Sequence, residues 1–284
     1  MKLKKSTLFY YSLAEMPINI ALFPILVFIP KFYTGEMGVP LALAANIILA
    51  VRIFDVFTDP VVGYINDRTN TKWGRRRPWI AIATPLLMVS IYMLFIPPEG
   101  AGALHLFLWM FLLSIGTTML IIPYYAWGAE LSPDYNERSR ITGWRSISGV
   151  VGSLSAQLIP TIALVFFGLG GSTNVLYIVG IASVIIMPIC VFLTVLKVPE
   201  SKDYVQSNIS PIKGFKIMLE NSPFKRLIMA FMFGGIAFSI TIPLYLFFIA
   251  YVLKAEEMAI FMPVSYTHLR AHETRGNLVC RLLL

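Results

Sequence analysis

Apolar residues gather in seven long runs, at roughly 8–32, 39–64, 78–97, 104–130, 144–167, 173–198 and 226–253, with short polar stretches between them. Each run supplies the about 20 apolar residues that a helix needs to cross a hydrocarbon core. The pattern therefore predicts an all-α, polytopic membrane helix bundle. Connections between runs are short except the sixth. That one mixes Lys, Asp, Ser, Asn and Pro, a composition suited to a linker between two bundles. Six helices, a polar linker and a further helix is the plan of transporters built from two six-helix halves. The expected organisation is a six-helix bundle over 1–198, a central linker over 199–225 and the first helix of a second bundle over 226–263.

Composition agrees with lipid as the solvent. Hydrophobic residues make up 57% of the chain and charged residues 13%, against about 25% charged in soluble domains. No cleavage site follows the first apolar run, so insertion is expected to begin with the first helix. The basic residues then set the orientation. Lys2, Lys4 and Lys5 precede the first helix, five Lys and Arg lie over 68–77, Arg138 and Arg140 follow the fourth run, and Lys202, Lys213, Lys216 and Lys225 follow the sixth. Odd-numbered connections are nearly free of them. The expectation is a multi-pass protein of a bacterial inner membrane with its N-terminus and even loops in the cytoplasm.

From Val264 onward the character changes abruptly, to VSYTHLRAHETRGNLVCRLLL. This segment resembles, in one reading frame, the translation of a transposase-based sequencing adapter with a short variable index. Residues 264–284 are expected to be a non-native tail and the reading frame a fragment. His268, His272, Glu273 and Cys280 have the look of metal ligands and are set aside with it. Outside the tail only His105 and Cys190 remain, too few for a disulfide framework or a nucleophilic or metal site.

The stretch RIFDVFTDPVVGYINDRTNTKWGRRRPW carries the most chemistry. Arg52, Asp55 and Asp59 interrupt an otherwise apolar second helix, and Asp55 and Asp59 are one turn apart on the same face. A charge at mid-membrane costs about 2.5–3.5 kcal/mol on insertion scales. One Arg neutralises one carboxylate, so the surplus negative charge calls for a cation. The alternative is a fixed internal bridge.

This stretch resembles the glycoside–pentoside–hexuronide:cation symporters, the melibiose permease-like family of the major facilitator superfamily, and the likeness runs over about 8–253. The resemblance implies cation-coupled symport of a sugar, glycoside or related small organic solute by alternating access. It places the coupling Na⁺ or H⁺ at Asp55, Thr58, Asp59 and Thr118, with Thr58 standing where melibiose permease has asparagine. It makes Gly63, Asp67, Arg68, Gly74, Arg75 and Arg76 a cytoplasmic gate; the plainer reading gives these arginines topology alone.

In IIPYYAWGAELSPDYNERSRITGWR, Tyr124, Tyr125 and Trp127 offer aromatic faces to a sugar ring, and equally to a membrane interface. The resemblance favours Tyr125 for stacking, with Arg145 as a sugar contact. Two acids that read galactoside hydroxyls in melibiose permease correspond to Asn19 and Ile121 here. Asn19 keeps hydrogen-bonding capacity and Ile121 does not. Glu15, one turn before Asn19, either supplies a substitute carboxylate or sits near the cytoplasmic interface. The implied partners are a small solute, a co-transported cation and the bilayer, with no nucleic acid, no obligate protein partner and no cofactor beyond the coupling ion. Competing readings are transport of a lipid or other non-sugar solute, a transporter-derived sensor and, least favoured, a membrane enzyme.

Overall fold

A computed structural model describes residues 2–168, 172–200 and 211–247. All of its regular elements among these residues are α-helices: α1 (Lys5–Ser12), α2 (Glu15–Val27), α3 (Ile29–Gly35), α4 (Leu41–Arg68), α5 (Arg77–Phe95), α6 (Ala103–Glu130), α7 (Tyr135–Phe167), α8 (Ser172–Lys197), α9 (Pro211–Glu220) and α10 (Ser222–Phe247). Helices satisfy every backbone group within one segment, which lipid requires. The chain divides near residue 206 into two compact units, taken separately below.

In the first unit, α4 to α8 have the length and hydropathy to cross a membrane. The first predicted span differs from its expectation: it is three short helices rather than one. Pro17 and Pro30 lack the N–H that an unbroken ladder needs, whereas Pro24 is carried inside α2. The breaks fall at Leu13–Ala14 and at Phe28. Helix α7 begins nine residues ahead of its expected start at 144, because Asp134 caps it: the Asp134 carboxylate accepts the Glu137 N–H at 2.9 Å, satisfying a donor the helix itself cannot.

Helix α5 packs on α6 and α8, α4 runs along α6, and α2 lies against α7 and α8. The core is aromatic where these meet: Tyr11, Tyr33, Phe95, Tyr124 and Trp127 are fully buried. Gly152 lets α7 close on α2, since a Cβ there would collide with the Met16 carbonyl. Outward faces are apolar stripes. On α7, Ile147, Val151, Leu154, Leu158 and Ile162 are exposed, and on α8 Ile181, Ile185, Ile189 and Phe192. Both follow helical spacing and suit contact with acyl chains. Helix α4 is the least buried of the five.

In the second unit, α9 and α10 pack together across the single residue Asn221, whose side chain accepts the Phe224 N–H at 3.1 Å and caps α10. The last residues of the seventh predicted span and all of the segment 264–284 lie outside the described residues, as does 201–210 of the predicted linker.

Candidate ion-coupling and solute sites

Asp55 and Asp59 lie on the side of α4 that meets α6. Thr118 Oγ1 donates to Asp59 Oδ1 at 2.7 Å. One turn earlier on both helices, Ser114 Oγ donates to Asp55 Oδ1. Both bonds join residues 59 apart in sequence, so α4 and α6 run parallel and the two bonds form successive rungs. Ser114 escaped the sequence reading. The available signal was its spacing: it precedes Thr118 by the same four residues that separate Asp55 from Asp59.

Thr58 does not join this group. Its hydroxyl donates to the Phe54 carbonyl at 3.3 Å and lies 3.5 Å from that of Asp55, a local bond that threonine makes readily inside a helix. Arg52 reaches Asp55 Oδ2 at 3.3 Å, with its side chain 57% exposed. That pair leaves Asp59, on the exposed side of the rung, as net negative charge. Among the described residues no three His, Cys, Asp or Glu side chains converge as metal ligands. The oxygens present are two carboxylates and two hydroxyls, hard donors for a monovalent cation or a shared proton.

The predicted solute residues form a second cluster, where α2, α6 and α7 meet. Tyr125 Oη donates to Glu15 Oε1 at 3.1 Å, and Asn19 Nδ2 donates to the Glu15 backbone carbonyl at 2.9 Å. The Arg145 guanidinium lies over the Tyr125 ring, 3.9 Å from its centroid, a cation–π contact. The Tyr125 face expected to stack on a sugar is thus covered by Arg145. Glu15 is buried, and its Oε2 has no hydrogen-bond partner. It is therefore part of the cluster rather than an interfacial residue.

Tyr124 and Trp127 are packing residues. Tyr11 and Tyr124 stack with centroids 4.7 Å apart, each hydroxyl bonded to the other's carbonyl at 3.0 and 2.8 Å. Trp127 donates to the Pro199 carbonyl at 3.0 Å.

The predicted gate residues lie at the basic end. Arg75 and Arg76 both meet Glu130 Oε1 at 2.6 Å, and Arg76 also binds Asp67 Oδ1 at 2.8 Å and Asn66 Oδ1. The backbone N–H groups of Arg75 and Arg76 converge on Glu200 Oε1 at 2.6 and 2.7 Å, while Arg77 donates to the Val198 carbonyl at 2.8 Å. This clasp ties the ends of α4, α6 and α8. Gly74 adopts φ +117°, and a Cβ there would strike Glu200. Burial opposes the Arg76 charge, but hydrogen bonds to Glu130 and Asp67 and their charges outweigh it, holding its pKa above the usual guanidinium value. Arg68 stays out of the clasp, stacked 4.1 Å over Tyr64 of its own helix. Gly63 does not mark a close approach, since a Cβ there would meet only Ile122 at an ordinary 3.8 Å. Glu130 and Glu200 were missed because a carboxylate at the end of an apolar run can be solvated at little cost and carries no signal alone.

Residues 10–270 match the family described as MFS/sugar transport protein, a match that extends seven residues beyond Pro263. The chain is 30% identical to an isoprimeverose transporter of Lactiplantibacillus pentosus, over 76% of this chain and 46% of that protein. It is 26% identical to a putative glycoside/cation symporter of Escherichia coli (strain K12), over 80% and 50%. It is 27% identical to sodium-dependent lysophosphatidylcholine symporter 1 of Mus musculus, over 84% and 53%. The chain thus spans about half the length of these curated relatives.

Proposed function

The chain belongs to the MFS/sugar transport protein family, and on that premise we propose that it forms the cation-binding half of a symporter. The solute is a sugar, glycoside or related small organic molecule, and the coupling ion is Na⁺ or H⁺. It is a multi-pass membrane protein; on our reading it lies in a bacterial inner membrane with the N-terminus and the basic-end clasp in the cytoplasm, a placement the alternation of Lys and Arg supports.

The observation that carries this reading is the two-rung contact of α4 with α6. Of two carboxylates one turn apart, only Asp55 is paired with an arginine, so a cation entering between them relieves the charge that remains on Asp59. Ser114 and Thr118 now donate to those carboxylates; a hydroxyl can rotate and offer lone pairs to an ion held by the same group. Coupling to solute runs through α6, because Thr118 and Tyr125 lie seven residues apart on it, about 10 Å along the axis. An ion that draws on Thr118 and a solute that displaces Arg145 from Tyr125 therefore act on one rigid element. The clasp closes the cytoplasmic end in one state of an alternating-access cycle and opens in the other.

Transport by this route needs no nucleophile or resident cofactor, which sets it apart from a membrane enzyme. The lysophosphatidylcholine symporter among the relatives supports a second reading, in which the solute is an amphipathic lipid. The test uses the full-length protein in proteoliposomes, supplied with aryl glycosides or a lysophospholipid under Na⁺ or H⁺ gradients. Asp55→Asn and Asp59→Asn are each expected to abolish gradient-driven accumulation while solute counterflow persists. Uphill uptake with unchanged ion dependence in both variants would place the coupling site elsewhere.

A further inference from the structure

We infer that Glu15 and Arg145 together select an uncharged polyhydroxyl solute over its carboxylate-bearing counterpart. The inference rests on the glycoside reading above and adds the charge class of the solute and the residue that sets it.

Glu15 lies in the first turn of α2, facing α6 and α7. Its side chain is almost entirely enclosed, and its two carboxylate oxygens are unequal. Oε1 accepts the Tyr125 hydroxyl, whereas Oε2 has no partner. An unpaired buried acceptor is costly, so one that persists beside a ligand cluster marks a bond supplied from outside. The layer above it consists of Tyr125, Asn19 and Arg145, all partly exposed, so Glu15 lies buried beneath a rim that a solute can reach. Gly149 makes room for Glu15: a Cβ there would press on Asn19 Nδ2 at 3.2 Å and Glu15 Cγ at 3.3 Å.

Arg145 covers the Tyr125 ring through a cation–π contact, is hydrogen-bonded to Tyr11, and its charge acts on Glu15, Tyr11 and Tyr125. A pyranose stacking on Tyr125 has to push the guanidinium aside. The displaced guanidinium then donates to a ring or hydroxyl oxygen, while a neighbouring solute hydroxyl donates to Glu15 Oε2. Hydroxyl groups satisfy both demands, since each donates and accepts.

The charges settle the solute class. One carboxylate and one guanidinium balance, so a neutral solute leaves the site neutral. A uronate would add a second carboxylate beside Glu15, and like-charge juxtaposition is an effective means of rejecting a wrong ligand. The site at α4 and α6 keeps its own surplus charge for the cation, so the solute need not supply any.

The test compares p-nitrophenyl β-D-glucoside with p-nitrophenyl β-D-glucuronide, which differ only in a hydroxymethyl against a carboxylate. Binding of each is measured by calorimetry on the full-length protein in nanodiscs. The parent protein should bind the glucoside at least tenfold more tightly. Glu15→Gln, which keeps the shape and removes the charge, should narrow that ratio about tenfold. Arg145→Gln should widen it by a similar factor, so the two variants move the ratio in opposite directions. Binding of both solutes with a ratio blind to Glu15→Gln and to Arg145→Gln, or a parent that prefers the glucuronide, overturns this inference alone. Binding of neither solute while a lysophospholipid binds overturns the glycoside reading with it.

Discussion

Replacing Glu130 with glutamine changes one atom and tests what holds the clasp at the basic end of the bundle. Glu130 Oε1 takes a guanidinium nitrogen from Arg75 and another from Arg76, each at 2.6 Å. Hydrogen bonds to a charged group contribute about 1.5–3 kcal/mol and neutral ones about 0.5–1.5 kcal/mol. A glutamine oxygen keeps bonds closer to the second kind, so the exchange forfeits about 1–2 kcal/mol at each arginine. The Arg76 side chain is 4% exposed and cannot turn to water, whereas that of Glu130 is 26% exposed. Partial solvation at the carboxylate discounts the total to about 2–3 kcal/mol. For a chain of this size that lowers the apparent unfolding midpoint by about 3–5 °C. Tryptophan fluorescence during thermal unfolding in detergent reads it directly, since buried Trp127 lies one turn from the substitution. Asp67→Asn is the control. Asp67 binds the same Arg76 at 2.8 Å, but its side chain is 56% exposed, so its loss should cost under about 1 kcal/mol. Equal destabilisation by the two variants, or none from Glu130→Gln, would refute the ranking of these contacts by burial.

Ser114→Ala should raise the cation concentration for half-maximal uptake about tenfold, the worth of one hydrogen bond of roughly 1.4 kcal/mol; Thr58→Ala should leave it within about twofold, because that hydroxyl bonds only to its own helix. Equal effects would return Thr58 to the ion site. Gly152→Val should destabilise the bundle by about 1–3 kcal/mol, the usual cost of overpacking, whereas Gly143→Val, with nothing within 4 Å of its Cβ, should not show this clash; detergent melting separates them. Arg68→Gln should leave the clasp's thermal stability unchanged, and Arg76→Gln should not.

What the sequence revealed followed from how costly each residue is in its setting. Asp55 and Asp59 stood out because carboxylates in an apolar helix demand an explanation. Ser114 did not, since a serine in such a helix bonds to its own backbone at little cost and carries no signal alone. The three-part first helix was hidden by its own hydrophobicity: apolar length marks a span, and only Pro17 and Pro30 announce where the ladder fails, while Pro24 is carried within α2. Family likeness placed Thr58 and Arg68 by position in a motif, and their side chains turn instead to Phe54 and Tyr64. Glu15 was legible as a candidate, but its burial and its unequal oxygens depend on how closely α7 approaches, which Gly149 and Gly152 permit and no local pattern specifies.

The equal spacing of the two rungs between α4 and α6 has a mechanical consequence. Four residues of helix rise about 6 Å, so sliding one helix along the other by less than a turn breaks both rungs with nothing gained. A slide of a full turn re-forms one rung and leaves the other carboxylate without its hydroxyl partner. The pair is therefore stiff against shear, like a detent with two teeth, and any large movement of the bundle must carry α4 and α6 as one body. On the proposed reading, an ion bound between the carboxylates would brace both teeth at once and add rigidity to the element that also carries Tyr125.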